Sequence, residues 1–272
     1  MANASPFFSI IMPTHQRPLL LHRALQSVRM QTFQSFELIV VADALDAATA
    51  ATCALMLRDD DVFVKRSGPP GPAESRNLGM TLARGKWVMF LDDDDAFQPT
   101  HLETAHRRIT RPGTQGEAPA EVLFSDFDVV TENRSQDPIL PLSQDRTVLR
   151  DKKPIDLYLR NFIPNNALVY QRPILEGCVT DPHLESLEDW DFLLAVCERS
   201  LPVWYEGGGA IVHKDFENPM MRRGSKTAAL DSNVLMDVLH VFRRWRAPNP
   251  DIQAQRQALI LSVGLNLPVS LY

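Results

Sequence analysis

Four consecutive aspartates, Asp92 to Asp95, follow the apolar run Trp87-Val-Met-Phe-Leu91. Adjacent carboxylates repel one another, so the run calls for an offsetting positive charge. In extended backbone alternate side chains share a side. Asp92 with Asp94, or Asp93 with Asp95, could therefore share one ligand. Oxygen donors of this kind suit Mg2+ or Mn2+, and Mg2+ is often held by one or two carboxylates plus substrate phosphates. The plainer alternative is a solvated acidic turn leading into a helix near Thr100. A second acidic group, Glu188-Asp189-Trp190-Asp191, opens an apolar segment. Acids there complement a helix dipole, and one of them could deprotonate a hydroxyl as a general base. Arg76 follows Gly71-Pro72 by a helical turn and could reach a phosphate or a nucleobase. His213 ends a short apolar stretch after Gly207-Gly208-Gly209, a place where a lone histidine is more often structural than a ligand.

The segments around these residues suggest how they are held. Phe8–Met12, Glu37–Val41, Val62–Lys65 and Trp87–Leu91 read as short buried strands. Between them, 18–30, 49–58 and 72–84 carry helical spacing, the last opened by Pro72. Apolar strands alternating with helices predict a parallel sheet covered on both faces. Ligands of such sheets sit beyond the carboxyl ends of the strands, which places Pro13, Asp43 and the aspartate run on one rim. Further on, 122–130 and 167–170 read as strands, 132–153 as loop, and 190–199 as a helix. The stretches 202–205 and 210–213 flank a glycine turn. Residues 214–227 read as a mobile polar loop whose Lys214, Arg222, Arg223 and Lys226 could close on a diphosphate. Two helices, 234–245 and 251–261, follow.

Composition limits the function classes. The 272 residues carry a formal charge of −6, which argues against a general nucleic-acid binder. Three dispersed cysteines, Cys53, Cys178 and Cys197, show no metal-ligand spacing and fit reduced thiols in a cytoplasmic protein. Met1–Pro6 does not read as a signal peptide, and no apolar run in the sequence reaches membrane-spanning length. The apolar tail from Ala258 reads as a packing or oligomer contact, and leaves peripheral membrane contact open.

Four segments together resemble family 2 glycosyltransferases of the GT-A fold. They are Ser9-Ile-Ile-Met-Pro-Thr-His-Gln-Arg-Pro18, Ala24–Phe33 with Phe36–Asp43, Ser75-Arg-Asn-Leu-Gly79 with Ala83–Asp95, and Glu188-Asp-Trp-Asp191. They occur in the family's order. The resemblance implies a Rossmann-like α/β sandwich with a mostly parallel central sheet and C-terminal helices. It implies a transferase domain over 1–215, with a nucleotide-binding part near 8–110 and an acceptor part near 120–215. Residues 216–272 would form the loop and helical extension. Pro13, Thr14, Arg17, Asp43, Arg76, Asp92 and Asp93 would line the nucleotide-sugar site. Asp94, with His213 as a candidate partner, would hold Mn2+ or Mg2+, and Asp189 would be the catalytic base. The sequence departs from the family pattern at Ala42, where an acid is common, and at His15-Gln16, where Tyr-Asn is common.

The expected chemistry is a single displacement with inversion. A nucleotide diphosphate-sugar, UDP-linked by family habit, gives its sugar to a hydroxyl of a carbohydrate or other acceptor. The competing readings are a sugar nucleotidyltransferase and a non-catalytic binding protein of the same fold. The first is disfavoured because Pro13–Pro18 holds no glycine-rich phosphate loop. A processive polymer synthase is disfavoured as well: Arg244-Trp245 echoes a motif of that group, but reads here as packing and charge on a C-terminal helix.

Overall fold

The computed structural model describes residues 5–44, 46–111, 119–184, 186–217 and 232–269. The first half alternates strand and helix: β1 (Phe8–His15), α1 (Pro18–Arg29), β2 (Phe36–Ala44), α2 (Ala47–Met56), β3 (Val62–Lys65), α3 (Pro72–Leu82) and β4 (Trp87–Phe90). Next come β5 (Ala96–Phe97), α4 (His101–Thr110), β6 (Val122–Asn133), β7 (Leu140–Thr147) and β8 (Leu168–Gln171). The chain then runs through α5 (Glu188–Cys197), β9 (Val203–Asp215), α6 (Ser232–Arg244) and α7 (Pro250–Ser262).

One sheet carries all of these strands in the order β3-β2-β1-β4-β8-β6-β9-β5, with β7 added on β6. The strands β3, β2, β1 and β4 are mutually parallel, as is β6 with β9. β8 runs antiparallel to both β4 and β6, and so joins the two parallel parts. Strand periodicity explains the two-sided core. Ile11, Ile39, Val41, Val88 and Phe90 face a cluster that includes Phe124, Trp190, Phe192, Val241, Phe242, Ile252 and Ile260. Their neighbours Phe8, Ile10, Met12, Leu38, Val40 and Met89 face the other side, against Leu21, Ala24, Leu25, Val28, Leu102 and Ala105. Successive strand side chains point to opposite faces, so a strand with apolar residues on both faces, such as FSIIM, must be covered twice. α1 and α4 cover one face; α5 and the C-terminal helices share the cluster on the other.

α6 and α7 are fastened by polar contacts as well as apolar ones. Arg256, fully buried on α7, donates from Nε to the Tyr158 carbonyl and from Nη1 to the carbonyls of Phe242 and Trp245. Trp245 donates its indole N–H to Asp191 Oδ1 at 2.7 Å, and Arg244 donates to Asp191 Oδ2 at 3.0 Å. The Arg-Trp pair thus supplies packing and charge, and both residues attach to the helix that carries Glu188 and Asp189.

Two local expectations need correction. The stretch 132–153 contains strand β7, whose residues Leu140 to Arg146 are all exposed. An edge strand that buries nothing gives no hydrophobic signature. The Gly207–Gly209 segment lies inside the continuous strand β9 instead of forming a turn between two strands. Gly208 passes so close to Ser125 that an added Cβ would lie 1.7 Å from the Ser125 hydroxyl oxygen, so glycine here permits close strand approach. Of the expected polar loop, Lys214 and Asp215 belong to β9, while Arg222, Arg223 and Lys226 lie outside the described residues. The three cysteines are free and buried. Among the described residues no helix is long and apolar enough to cross a membrane.

Candidate active site

The carboxyl ends of β1, β2 and β4 meet at one rim, and the second half of the sheet brings β6, β9 and α5 to it. At the end of β1, Thr14 is buried and donates its hydroxyl to Asp93 Oδ2 at 2.8 Å. The His15 amide donates to the same oxygen at 3.3 Å. The Asp93 side chain is almost fully buried, and burial pushes its pKa up to about 6 against the opposing pull of Arg17, 3.6 Å away. The four aspartates therefore divide. Asp93 ties β1 to the run. Asp95 holds β9 by accepting from the His213 amide at 2.8 Å and also takes Asn166 Nδ2 at 3.2 Å. Asp92 is the most exposed of the group at 38%. Asp94 Oδ2 lies 3.1 Å from Arg134 Nη1 and 3.5 Å from Arg17 Nη1.

Asp43, at the end of β2, is anchored on both oxygens. Oδ1 meets His15 Nδ1 at 2.6 Å, and Oδ2 accepts from the Gly71 amide at 2.6 Å. The contact with Gly71 sets Asp43 against the start of α3, and Arg76 lies one turn further along that helix. Arg76 is buried and spans two acids: Nη2 donates to Asp92 Oδ1 at 2.7 Å and Nη1 to Glu188 Oε1 at 3.1 Å. Burial works against its charge, but Asp92 and Glu188 outweigh it and raise the pKa. Arg76 thus joins the aspartate run to the acidic start of α5.

At that start Leu187 has a left-handed backbone, φ 65°, and the acids Glu188, Asp189 and Asp191 occupy the first turn of α5. Asp189 accepts from the Trp190 amide at 2.7 Å and sits 3.4 Å from Asn161 Nδ2. Burial and the neighbouring Glu188 charge raise its pKa to about 6, with Arg76 opposing. Gln16, before Arg17, is the other non-glycine residue with positive φ (47°) among the described residues. Both left-handed positions immediately precede a charged residue of the site, a common placement for backbone strain.

A polar cluster that no local motif announces completes the rim. Glu132, near the end of β6, is buried and meets Arg23 Nη1 at 2.7 Å, Arg134 Nε at 2.8 Å and His213 Nδ1 at 2.9 Å. Burial alone would raise its pKa; the contacts from His213 and Arg23 bring it down to about 2. Burial lowers the pKa of His213, which favours the neutral ring. Glu132 can only accept while ionised, so Nδ1 carries the ring proton and Nε2 is the nitrogen left to coordinate. Among the described residues no three His, Cys, Asp or Glu side chains converge to hold a metal ion unaided. The Asp94 carboxylate, together with substrate phosphates, would fit Mn2+ or Mg2+, and the neutral imidazole would fit the transition-metal ion Mn2+ better than Mg2+.

Comparison with known proteins identifies the family. The model described as glycosyl transferase family 2 matches residues 9–169. The chain belongs to that family. It is 28% identical over 214 residues to a putative colanic acid biosynthesis glycosyl transferase of Escherichia coli, covering 77% of this chain and 73% of the relative. An uncharacterized glycosyltransferase of Haemophilus influenzae is 29% identical over 197 residues, covering 70% of this chain and 62% of that one. A Campylobacter jejuni GalNAc(5)-diNAcBac-PP-undecaprenol beta-1,3-glucosyltransferase is 35% identical over 102 residues, covering 36% of this chain and 33% of its own. The chain therefore spans less than two thirds of some of its relatives. Among solved structures, Staphylococcus aureus TarS 1–349 in complex with UDP-GlcNAc superposes with a TM-score of 0.63 at 20% identity, over 95% of this chain and 68% of that chain. A Pyrobaculum calidifontis mannosyltransferase in complex with GDP-Man and Mn2+ gives 0.53 at 13% identity, over 98% and 78%. These likenesses establish the GT-A-type fold expected from the sequence.

Proposed function

We propose that this chain is an inverting, metal-dependent glycosyltransferase. It moves a sugar from a nucleotide diphosphate-sugar, UDP-linked in the first instance, to an acceptor hydroxyl during polysaccharide or glycoconjugate assembly. The carrying observation is the Arg76 bridge between Asp92 and Glu188. It links the acidic start of α5, where Asp189 follows Glu188, to the aspartate run, and so supports a division of roles with the leaving group on one side and the base on the other. The UDP-GlcNAc complex of TarS and the colanic acid description of the Escherichia coli relative support the donor and pathway class.

In this reading Asp43, held by His15 and Gly71, accepts a hydrogen bond from the nucleobase, and the β1 turn at Pro13 and Thr14 lies beside it. Asp92 receives the ribose. Asp93 orients the turn through Thr14 and the His15 amide, so it shapes the donor site from behind. Arg17 offers its guanidinium to the diphosphate. Asp94 and Nε2 of His213 are the side-chain ligands for a divalent ion, which when bound stabilises negative charge on the leaving diphosphate. Asp189 takes the proton from the acceptor hydroxyl as it attacks the anomeric carbon. With a pKa near 6 it is ionised at neutral pH yet more basic than an ordinary aspartate. Attack from the face opposite the leaving group inverts the anomeric centre.

The test is to incubate the protein with α-linked UDP-sugars, Mn2+ and a panel of saccharide acceptors, and to read the anomeric coupling of any product by NMR. A β-linked product is expected. An α-linked product would remove Asp189 from the role of base in a single displacement.

A further inference from the structure

The reading above leaves Glu132 without a role, although it touches His213 itself and the two arginines that contact Asp94. It lies on β6 two residues beyond Val130, which is registered against His213 on β9, and is itself registered against Asp215. The register of β6 against β7 shifts between Thr131 and Glu132, so the pleat is interrupted there. Glu132 accepts from His213 Nδ1 at 2.9 Å, Arg23 Nη1 at 2.7 Å and Arg134 Nε at 2.8 Å. Each arginine continues to Asp94: Arg23 Nη2 donates to its carbonyl at 2.7 Å, and Arg134 Nη1 to its Oδ2 at 3.1 Å. Arg134 Nη2 also donates to the His213 carbonyl at 3.1 Å.

Two consequences follow from charge and valence. An ionised acceptor at Nδ1 keeps the ring proton there and leaves the Nε2 lone pair for coordination. The same carboxylate engages two guanidinium groups that would otherwise turn their full charge on Asp94 and compete with a cation. We propose that Glu132 is a positioning residue for the divalent ion, fixing the His213 tautomer and restraining Arg23 and Arg134 beside Asp94. This rests on the reading of Asp94 and His213 as metal ligands.

The experiment has two arms. Mn2+ binding in the presence of UDP is measured by the electron paramagnetic resonance of free Mn2+ for wild type, Glu132→Ala and Glu132→Gln, and UDP binding is measured separately in chelator. Loss of such an outer partner costs about 10–100-fold in metal affinity. That loss is expected for Glu132→Ala, with chelated UDP binding unchanged within about twofold. Glu132→Gln keeps an acceptor for Nδ1 but loses the charge, so a smaller loss is expected; it also serves if the alanine variant fails to fold. In the second arm, 15N-histidine NMR of the metal-free wild type reads the His213 tautomer, with Nδ1–H expected. An Mn2+ affinity unchanged in the variants, or an Nε2–H tautomer in wild type, overturns the proposal. If wild type itself binds UDP equally with and without Mn2+, the metal reading fails first, and that result is visible before any variant is compared.

Discussion

Replacing Asp189 with asparagine should abolish transfer and stabilise the fold. Its pKa stands at about 6 against an ordinary 3.8, because burial and Glu188 disfavour the charge. The folded protein therefore binds a proton that the unfolded chain has released between those values, and stability falls as pH rises through that window. At about 1.4 kcal/mol per pH unit, ionising Asp189 costs the fold up to about 3 kcal/mol. The side chain keeps some contact with solvent, and Glu188 shares the effect, so a gain of about 1–2 kcal/mol is expected for Asp189→Asn above pH 6. Asparagine retains an acceptor for the Trp190 amide, so little is lost in exchange. The gain should vanish below about pH 4, where both states are protonated. Urea denaturation at several pH values, in chelator and without donor, measures it. The same protein should lose about 10²–10⁴-fold in transfer rate if the base is removed. The wild-type rate should rise with pH through about 6 and then level off. A less stable variant at neutral pH would refute the account of Asp189 as a strained carboxylate. Near-normal turnover would refute its role as base.

The remaining predictions concern contacts already described. Arg76→Ala leaves Asp92 and Glu188 without their shared cation; a loss of about 3 kcal/mol in stability is expected, with the acid limb of the rate profile shifted to higher pH. Thr14→Val removes a hydroxyl from the buried Asp93 and should cost about 1–3 kcal/mol by thermal or urea unfolding. Gly85→Ala would place a Cβ 2.5 Å from the Ser9 amide nitrogen, a backbone atom that cannot yield cheaply, so lower soluble yield and a lower melting temperature are expected. Trp245→Phe removes the indole bond to Asp191, and should lower stability by about 1 kcal/mol or more without altering chelated UDP binding.

The first half of the chain is legible because its signals are local. FSIIM, ELIVV and WVMFL are largely apolar since each strand is covered on both faces, the exceptions Ser9 and Glu37 being bonded to each other, and WVMFL runs directly into Asp92. The division of labour within Asp92–Asp95 was not legible. It depends on Thr14, Asn166 and the His213 amide, which reach the run from other strands and a loop. Arg76 reads in the sequence as a residue for a phosphate or a base; its guanidinium spans Asp92 and Glu188, a partner 112 residues away, which no local pattern announces. Arg23, Glu132, Arg134 and Asn161 escaped notice for the same reason. Each is an ordinary polar residue in its own segment and gains meaning only when β6 pairs with β9 and α1 lies against the rim.

Calorimetric titration of UDP into the protein, with Mn2+ and with chelator, for wild type and Asp94→Ala, tests the central claim most directly. The account predicts tight binding with Mn2+ in wild type, weakened both by chelator and by Asp94→Ala. Absence of binding by UDP, GDP and dTDP to the folded wild-type protein under every condition would contradict it.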